Sequence, residues 1–184
     1  FYMKATGIVR RIDDLGRVVI PKEIRRTLRI KEGTPLEIFT DREGEVILKK
    51  YSPIGELSIF AKEYAEALAQ TTGMISCITD HDQVVAAAGP GSKEFSGKEI
   101  SKELEEAIAQ REGRCVNGED KEKIPVVGDQ RDMMYSQVIQ CIICAGDAIG
   151  AVILMGRDEK DVMGNAERML VQTAAGFLGR QMEQ

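Results

Sequence analysis

The first fifty residues are cut into short pieces, and that punctuation limits what they can become. Gly7 to Ile12 is an extended run that stops at Asp13-Asp14-Leu15-Gly16, a turn with a glycine available for positive φ. Arg17 to Ile20 is β-branched and reads as a second strand, stopped by Pro21. Proline also opens a helix well, and Ile24, Leu28 and Ile30 give a short helical stripe that Gly33 is expected to close. Pro35 to Thr40 and Glu45 to Tyr51 read as two more strands about the hairpin turn Asp41-Arg42-Glu43-Gly44. So small a unit, with so few large apolar residues and open strand edges, is marginal alone. The simplest physical remedy is a homodimer in which hairpins from two chains complete one barrel.

Charge is segregated along the chain. Between Lys4 and Lys31, nine Lys/Arg face only Asp13, Asp14 and Glu23, whereas the whole chain carries 25 Lys/Arg, 30 Asp/Glu and a net charge of -5. Residues 1–53 hold twelve basic and eight acidic side chains; the remainder holds thirteen and twenty-two. A basic head on an acidic body is the asymmetry expected when one end meets a polyanion. The arginines are interleaved with Ile, Val and Leu, which describes a folded basic surface rather than a basic tail. DNA is the partner this implies.

Charge and pattern both change at Ser52-Pro53-Ile54-Gly55, dividing the chain into residues 1–53 and 54–184. Beyond it, Glu56 to Thr71 carries Leu57, Phe60, Tyr64 or Ala61, and Leu68 at helical spacing. Met74 to Thr79 and Val84 to Ala88 read as a hairpin, and Ser101 caps a helix bearing Leu104, Ala107 and Ile108. Gly113 to Arg131 is irregular and polar. Tyr135 to Cys144 and Ala148 to Met155 form an antiparallel pair apolar enough for a sheet centre, and Met163 to Met182 is a closing helix. Strands flanked by helices make an α+β layout.

Nothing here argues for catalysis, a cofactor or a metal. Cys141-Ile142-Ile143-Cys144 has redox or zinc spelling, but no second pair accompanies it and His81, the one histidine, is not at ligand spacing. In a strand, residues three apart face opposite ways, so these are expected to be packed thiols. Glycines are plentiful without a phosphate-loop pattern. No signal peptide or membrane span is expected, and reduced cysteines fit a cytoplasmic protein. Met3 reads as the natural start, after Phe1 and Tyr2.

Lys4-Ala5-Thr6-Gly7-Ile8-Val9-Arg10, Asp14-Leu15-Gly16-Arg17-Val18-Val19-Ile20-Pro21, Glu23-Ile24-Arg25-Arg26-Thr27-Leu28 and Leu36-Glu37-Ile38 carry a resemblance. The head resembles the swapped-hairpin DNA-binding domain of the AbrB family of bacterial transition-state regulators. The layout is similar to family members that append a GAF-like domain and act in sporulation. The resemblance implies that Arg10, Arg17, Arg25 and Arg26 contact double-stranded DNA, with Lys4 and Arg11 adding charge and Lys22 and Arg29 weaker candidates. It also implies a homodimer through residues 1–53 and a homotetramer through the C-terminal helices. No Asn-Lys followed by Phe-Asp-Glu is present, so no cyclic-nucleotide ligand carries over. Gly89 to Glu99 and Gly113 to Arg131 are candidates to line a pocket for a small-molecule effector. The expected function is a transcriptional activator or repressor. The alternative is an antitoxin with a MazE/AbrB-like head, set against the apolar patterning of residues 56–184, which is that of a folding domain and not a toxin-wrapping tail.

Overall fold

The computed structural model describes residues 6–118, 122–128 and 134–183. The chain divides into two compact units, Phe1–Tyr51 and Ser52–Gln184.

The first unit makes one turn twice. Asp13 Oδ1 accepts from the N–H groups of Leu15 and Arg17 at 3.0 and 2.8 Å, and the Asp13 N–H donates to the Arg17 carbonyl at 3.0 Å. Asp41 Oδ1 likewise accepts from Glu43 and Glu45, both at 2.9 Å, and its N–H donates to the Glu45 carbonyl at 3.2 Å. Gly16 and Gly44 supply the left-handed residue each turn needs, at φ +76° and +83°. The second turn joins β1 (Leu36–Thr40) to β2 (Val46–Lys50), with Ile38 opposite Leu48.

Two expectations for this unit are corrected. Residues 7–12 and 17–20 form no ladder; past the Asp13–Arg17 bond their edges meet no strand among the described residues. Helix α1 (Lys22–Thr27) follows Pro21, but Gly33 does not close it. Arg29 does, at φ +51°, and the Ile30 N–H returns to the Arg25 carbonyl at 2.7 Å. That is a glycine's usual place at a helix end, taken here by an arginine.

Pro21 is the one buried residue among those described in this unit. Twelve large apolar side chains between Ile8 and Tyr51 are exposed, including Val9 at 85%, Ile38 at 66% and Val46 at 67%. The alternation of β1 and β2 puts Leu36, Ile38, Val46 and Leu48 on one face of the hairpin, where Ile38, Val46 and Leu48 are exposed and Leu36 is half-buried.

The second unit is a five-stranded antiparallel sheet between helices. Its order is β4 (Val84–Ala88), β3 (Ile75–Thr79), β7 (Asp147–Gly156), β6 (Ser136–Cys144), β5 (Arg114–Val116). After a single turn, α2 (Pro53–Glu56), helices α3 (Ser58–Thr72) and α5 (Asn165–Gln181) cover one face. Val152, Leu154, Val138 and Ile142 meet Ala61, Ala65, Leu68, Val171, Ala174 and Leu178 there. Helix α4 (Lys102–Ala109) covers the other, where Ala151, Ile153, Met155 and Ile139 meet Leu104, Ala107 and Ile108. Strand β7 thus alternates between two cores, which explains why its sequence is apolar from Ala151 to Met155.

Polar groups tie the connections down. Ser52 Oγ accepts from the Gly55 N–H at 3.0 Å and donates to Asp80 Oδ2 at 2.6 Å, while Asp80 Oδ1 takes the N–H groups of Asp82 and Gln83, each at 2.8 Å. Ser101 Oγ caps α4 at the Leu104 N–H (3.0 Å) and donates to the Pro125 carbonyl at 2.5 Å. The buried Gln137 amide pairs with the backbone of Ile124 like a strand neighbour, accepting its N–H at 3.0 Å and donating to its carbonyl at 2.7 Å. The polar stretch after Gly113 also holds the short edge strand β5, paired with β6 from Arg114 opposite Ile139 to Val116 opposite Gln137.

Candidate nucleic-acid interface

The head places its expected DNA-contacting residues on the outside. Arg10, Arg11, Arg17, Arg25 and Arg26 are all exposed, and Lys4 lies outside the described residues. Arg17 closes the first turn, where its Nε–H donates to Asp13 Oδ2 at 2.8 Å with 69% of the arginine side chain in solvent. Bonds from the Arg17 backbone and guanidinium hold the Asp13 carboxyl below the ordinary aspartate range. Arg25 and Arg26 lie on α1, and Arg25 Nε–H donates to the Ile20 carbonyl at 3.2 Å. Arg10 Nη1 leans on the carbonyl of its neighbour Val9 at 3.3 Å. Asp13 was legible only as a turn former; its grip on Arg17 follows from a four-residue offset that only the folded turn brings together.

Such an array has the chemistry that suits a polyanion. Guanidinium forks match phosphates and guanine edges, and a turn and a short helix fix their spacing. The weaker candidates separate: Lys22 is exposed at the start of α1, while Arg29 is half-buried at its end.

A cleft of about 270 Å³ beside α4 is lined by Glu103, Glu106, Glu112, Glu122, Arg114 and Lys123. Arg114 is spent on Glu112 Oε2 at 2.9 Å and the Glu122 carbonyl at 3.1 Å. Part of the Gly113 to Arg131 stretch lines this cleft, and Gly89 to Glu99 does not.

The cysteines sit apart from one another's chemistry. Cys141 is buried and its thiol reaches toward the Glu112 carbonyl, whereas Cys144 packs on the opposite core. Burial, with Glu112 nearby, pushes the Cys141 thiol up; burial, with Glu183 and Asp147, does so for Cys144. Cys77 is buried and raised by burial alone. His81 stands exposed in the β3–β4 turn.

A basic head of turn, short helix and hairpin precedes a five-stranded antiparallel sheet wrapped by helices. Comparison with known proteins gives the family. Residues 56–183 match the family described as stage V sporulation protein T C-terminal, transcription factor. Residues 9–56 match that described as antidote-toxin recognition MazE, bacterial antitoxin. Stage V sporulation protein T of Bacillus subtilis is 55% identical over 182 residues, covering 99% of this chain and 100% of that protein. The transition state regulatory protein AbrB of the same organism is 64% identical over 52 residues, 28% of this chain and 53% of that protein. The second unit shares its fold with the PixJ GAF domain of Thermosynechococcus elongatus, at a TM-score of 0.56 and 10% identity, over 73% of this chain and 89% of that one. The chain belongs to the stage V sporulation protein T family of transcription factors. The whole-length match selects the regulator over the antitoxin, whose family matches the head alone.

Proposed function

We propose that residues 1–53 form the DNA-binding domain and residues 54–184 a GAF-like domain that joins copies and senses a signal. Two heads pair, cover each other's apolar faces and present Arg10, Arg17, Arg25 and Arg26 twice about a two-fold axis, suited to roughly two-fold-symmetric sites. Lys4 and Arg11 add to the field. The observation that carries the reading is the coincidence of exposed arginines with a head that leaves twelve large apolar side chains uncovered. A single chain of that kind is incomplete, and a second copy offers the complementary strands and faces.

Helices α3 and α5 supply the second contact. Their outer surface exposes Ile59, Phe60 and Met169 beside the Tyr64–Phe177 ring pair, whose centroids are 4.9 Å apart. Pairing there joins dimers into a tetramer and raises the effective concentration of heads on DNA. The protein acts in the cytoplasm as a regulator and not as an enzyme. No described helix is long and apolar enough to cross a membrane. The polar cleft beside α4 is the place for a small effector.

The test is DNA-binding anisotropy of the full chain on mixed-sequence duplex, titrated with salt, beside Arg25→Ala/Arg26→Ala. The expected result is tight binding at low salt, falling steeply as salt rises, with a shallower salt slope in the double variant. Absence of binding at low salt overturns the reading.

A further inference from the structure

Two of the exposed arginines are held differently from the others. Arg17 donates its Nε–H to Asp13 Oδ2, while the other oxygen of that carboxylate is pinned by the N–H groups of Leu15 and Arg17. Arg25 donates its Nε–H to the Ile20 carbonyl. Each bond engages the inner nitrogen and leaves the outer edge, Nη1 with Nη2, uncommitted. The Arg10 guanidinium by contrast touches only its own neighbour, and the Arg11 and Arg26 side chains form no hydrogen bond or ion pair among the described residues.

The turn itself does not require the clamp. The Asp41 turn makes the same three backbone bonds with Glu45 in the place of Arg17. The Asp13–Arg17 pair is therefore an addition to a turn that closes without it. It is also an addition with a cost, because a carboxylate at the tip of a basic turn repels the phosphates that the surrounding arginines attract. A residue serving only affinity would be better neutral.

We propose that Asp13 and the Ile20 carbonyl are positioning groups that make Arg17 and Arg25 the base-reading arginines, leaving Arg10, Arg11 and Arg26 to the phosphates. The proposal rests on the DNA-binding reading above. A bidentate contact to guanine O6 and N7 needs the guanidinium plane fixed, whereas a phosphate accepts a charge from many directions. Holding Nε before DNA arrives removes part of the rotamer freedom that binding otherwise has to freeze. The carboxylate stays ionised from neutral into mildly acidic solution, since its partners lower its affinity for a proton.

The test compares two duplexes: the one that the full chain enriches from a random-sequence pool, and the pool itself. Asp13→Asn keeps an oxygen for the Leu15 and Arg17 amides but turns an NH2 toward Nε–H, breaking the clamp while keeping the turn. Its affinity for the enriched duplex is expected to fall about 5- to 30-fold, with pool affinity unchanged or higher because one negative charge is gone. Arg17→Lys and Arg25→Lys keep the charge and lose the fork, and show the same loss on the enriched duplex alone. Arg26→Lys holds both affinities within about twofold. Parallel loss on both duplexes in Asp13→Asn, or no loss on either, overturns the clamp. So does equal loss of discrimination in Arg25→Lys and Arg26→Lys, or a full chain that binds the pool but enriches nothing. A full chain that binds no duplex at low salt overturns the underlying reading instead.

Discussion

Asp13 and Asp41 show how much one short side chain decides. Each sits four residues before the close of its turn and gathers two backbone N–H groups on one oxygen. Hydrogen bonds to the ionised form lower both carboxyls below the ordinary aspartate value of 3.8, led by the Arg17 backbone for Asp13 and the Glu45 backbone for Asp41. A depressed folded value means that the stabilisation is present above the unfolded value and is lost as pH falls through the lower, folded one. The amide resonances of Leu15, Arg17, Glu43 and Glu45 are therefore expected to titrate with midpoints below 3.8, measured by NMR on the full chain. Midpoints at or above that value would show that the carboxylates do not hold the turns. Both turns were legible as Asp-x-x-Gly spellings. Their use of the aspartate oxygen, and the extra bond to Arg17, were not, because the same spelling serves with Glu45 and with Arg17.

At the level of elements, the sequence spoke clearly where periodicity ran long. The β6–β7 pair, helix α5 and the Ser101-capped helix α4 all stand within a few residues of their expected bounds. Strand β5 escaped notice because three residues, Arg114 to Val116, are too few to show alternation, and pairing with β6 rather than composition makes them a strand. Helix α1 closes at Arg29 rather than at Gly33 because a non-glycine residue takes the left-handed conformation there and the Ile30 N–H returns to the Arg25 carbonyl. Ser101 carries a sharper consequence, since its one hydroxyl both caps α4 and ties down the Pro125 loop. Ser101→Ala should lower unfolding stability by about 1–2 kcal/mol, read from the midpoint of a denaturant melt, with no change in DNA affinity. An unshifted midpoint would mean that water takes over both bonds.

At the level of the whole molecule, the two units differ in how far a single chain can finish them. Residues 52–184 bury two cores of their own and expose five large apolar side chains among those described, against twelve in the much shorter head. Replacing Ile38 or Leu48 by Lys on the uncovered hairpin face is expected to weaken self-association of the head and DNA binding together, while the second unit keeps its thermal transition. Analytical ultracentrifugation would follow the mass; an unchanged assembly with full DNA affinity would show that this face is not the contact. Sheet order and the choice of what covers each face were beyond the sequence, because they depend on which apolar runs meet, not on the runs themselves. The uncovered face of the head has one more consequence. If a second chain supplies its core, the amount of folded head grows with the square of the free chain and collapses on dilution, so a scarce regulator is a protease substrate before it is a weak binder. If the larger units pair more tightly than the heads, two heads held by them meet at a fixed effective concentration, and the quadratic law gives way to a nearly concentration-independent one for as long as the larger units stay paired.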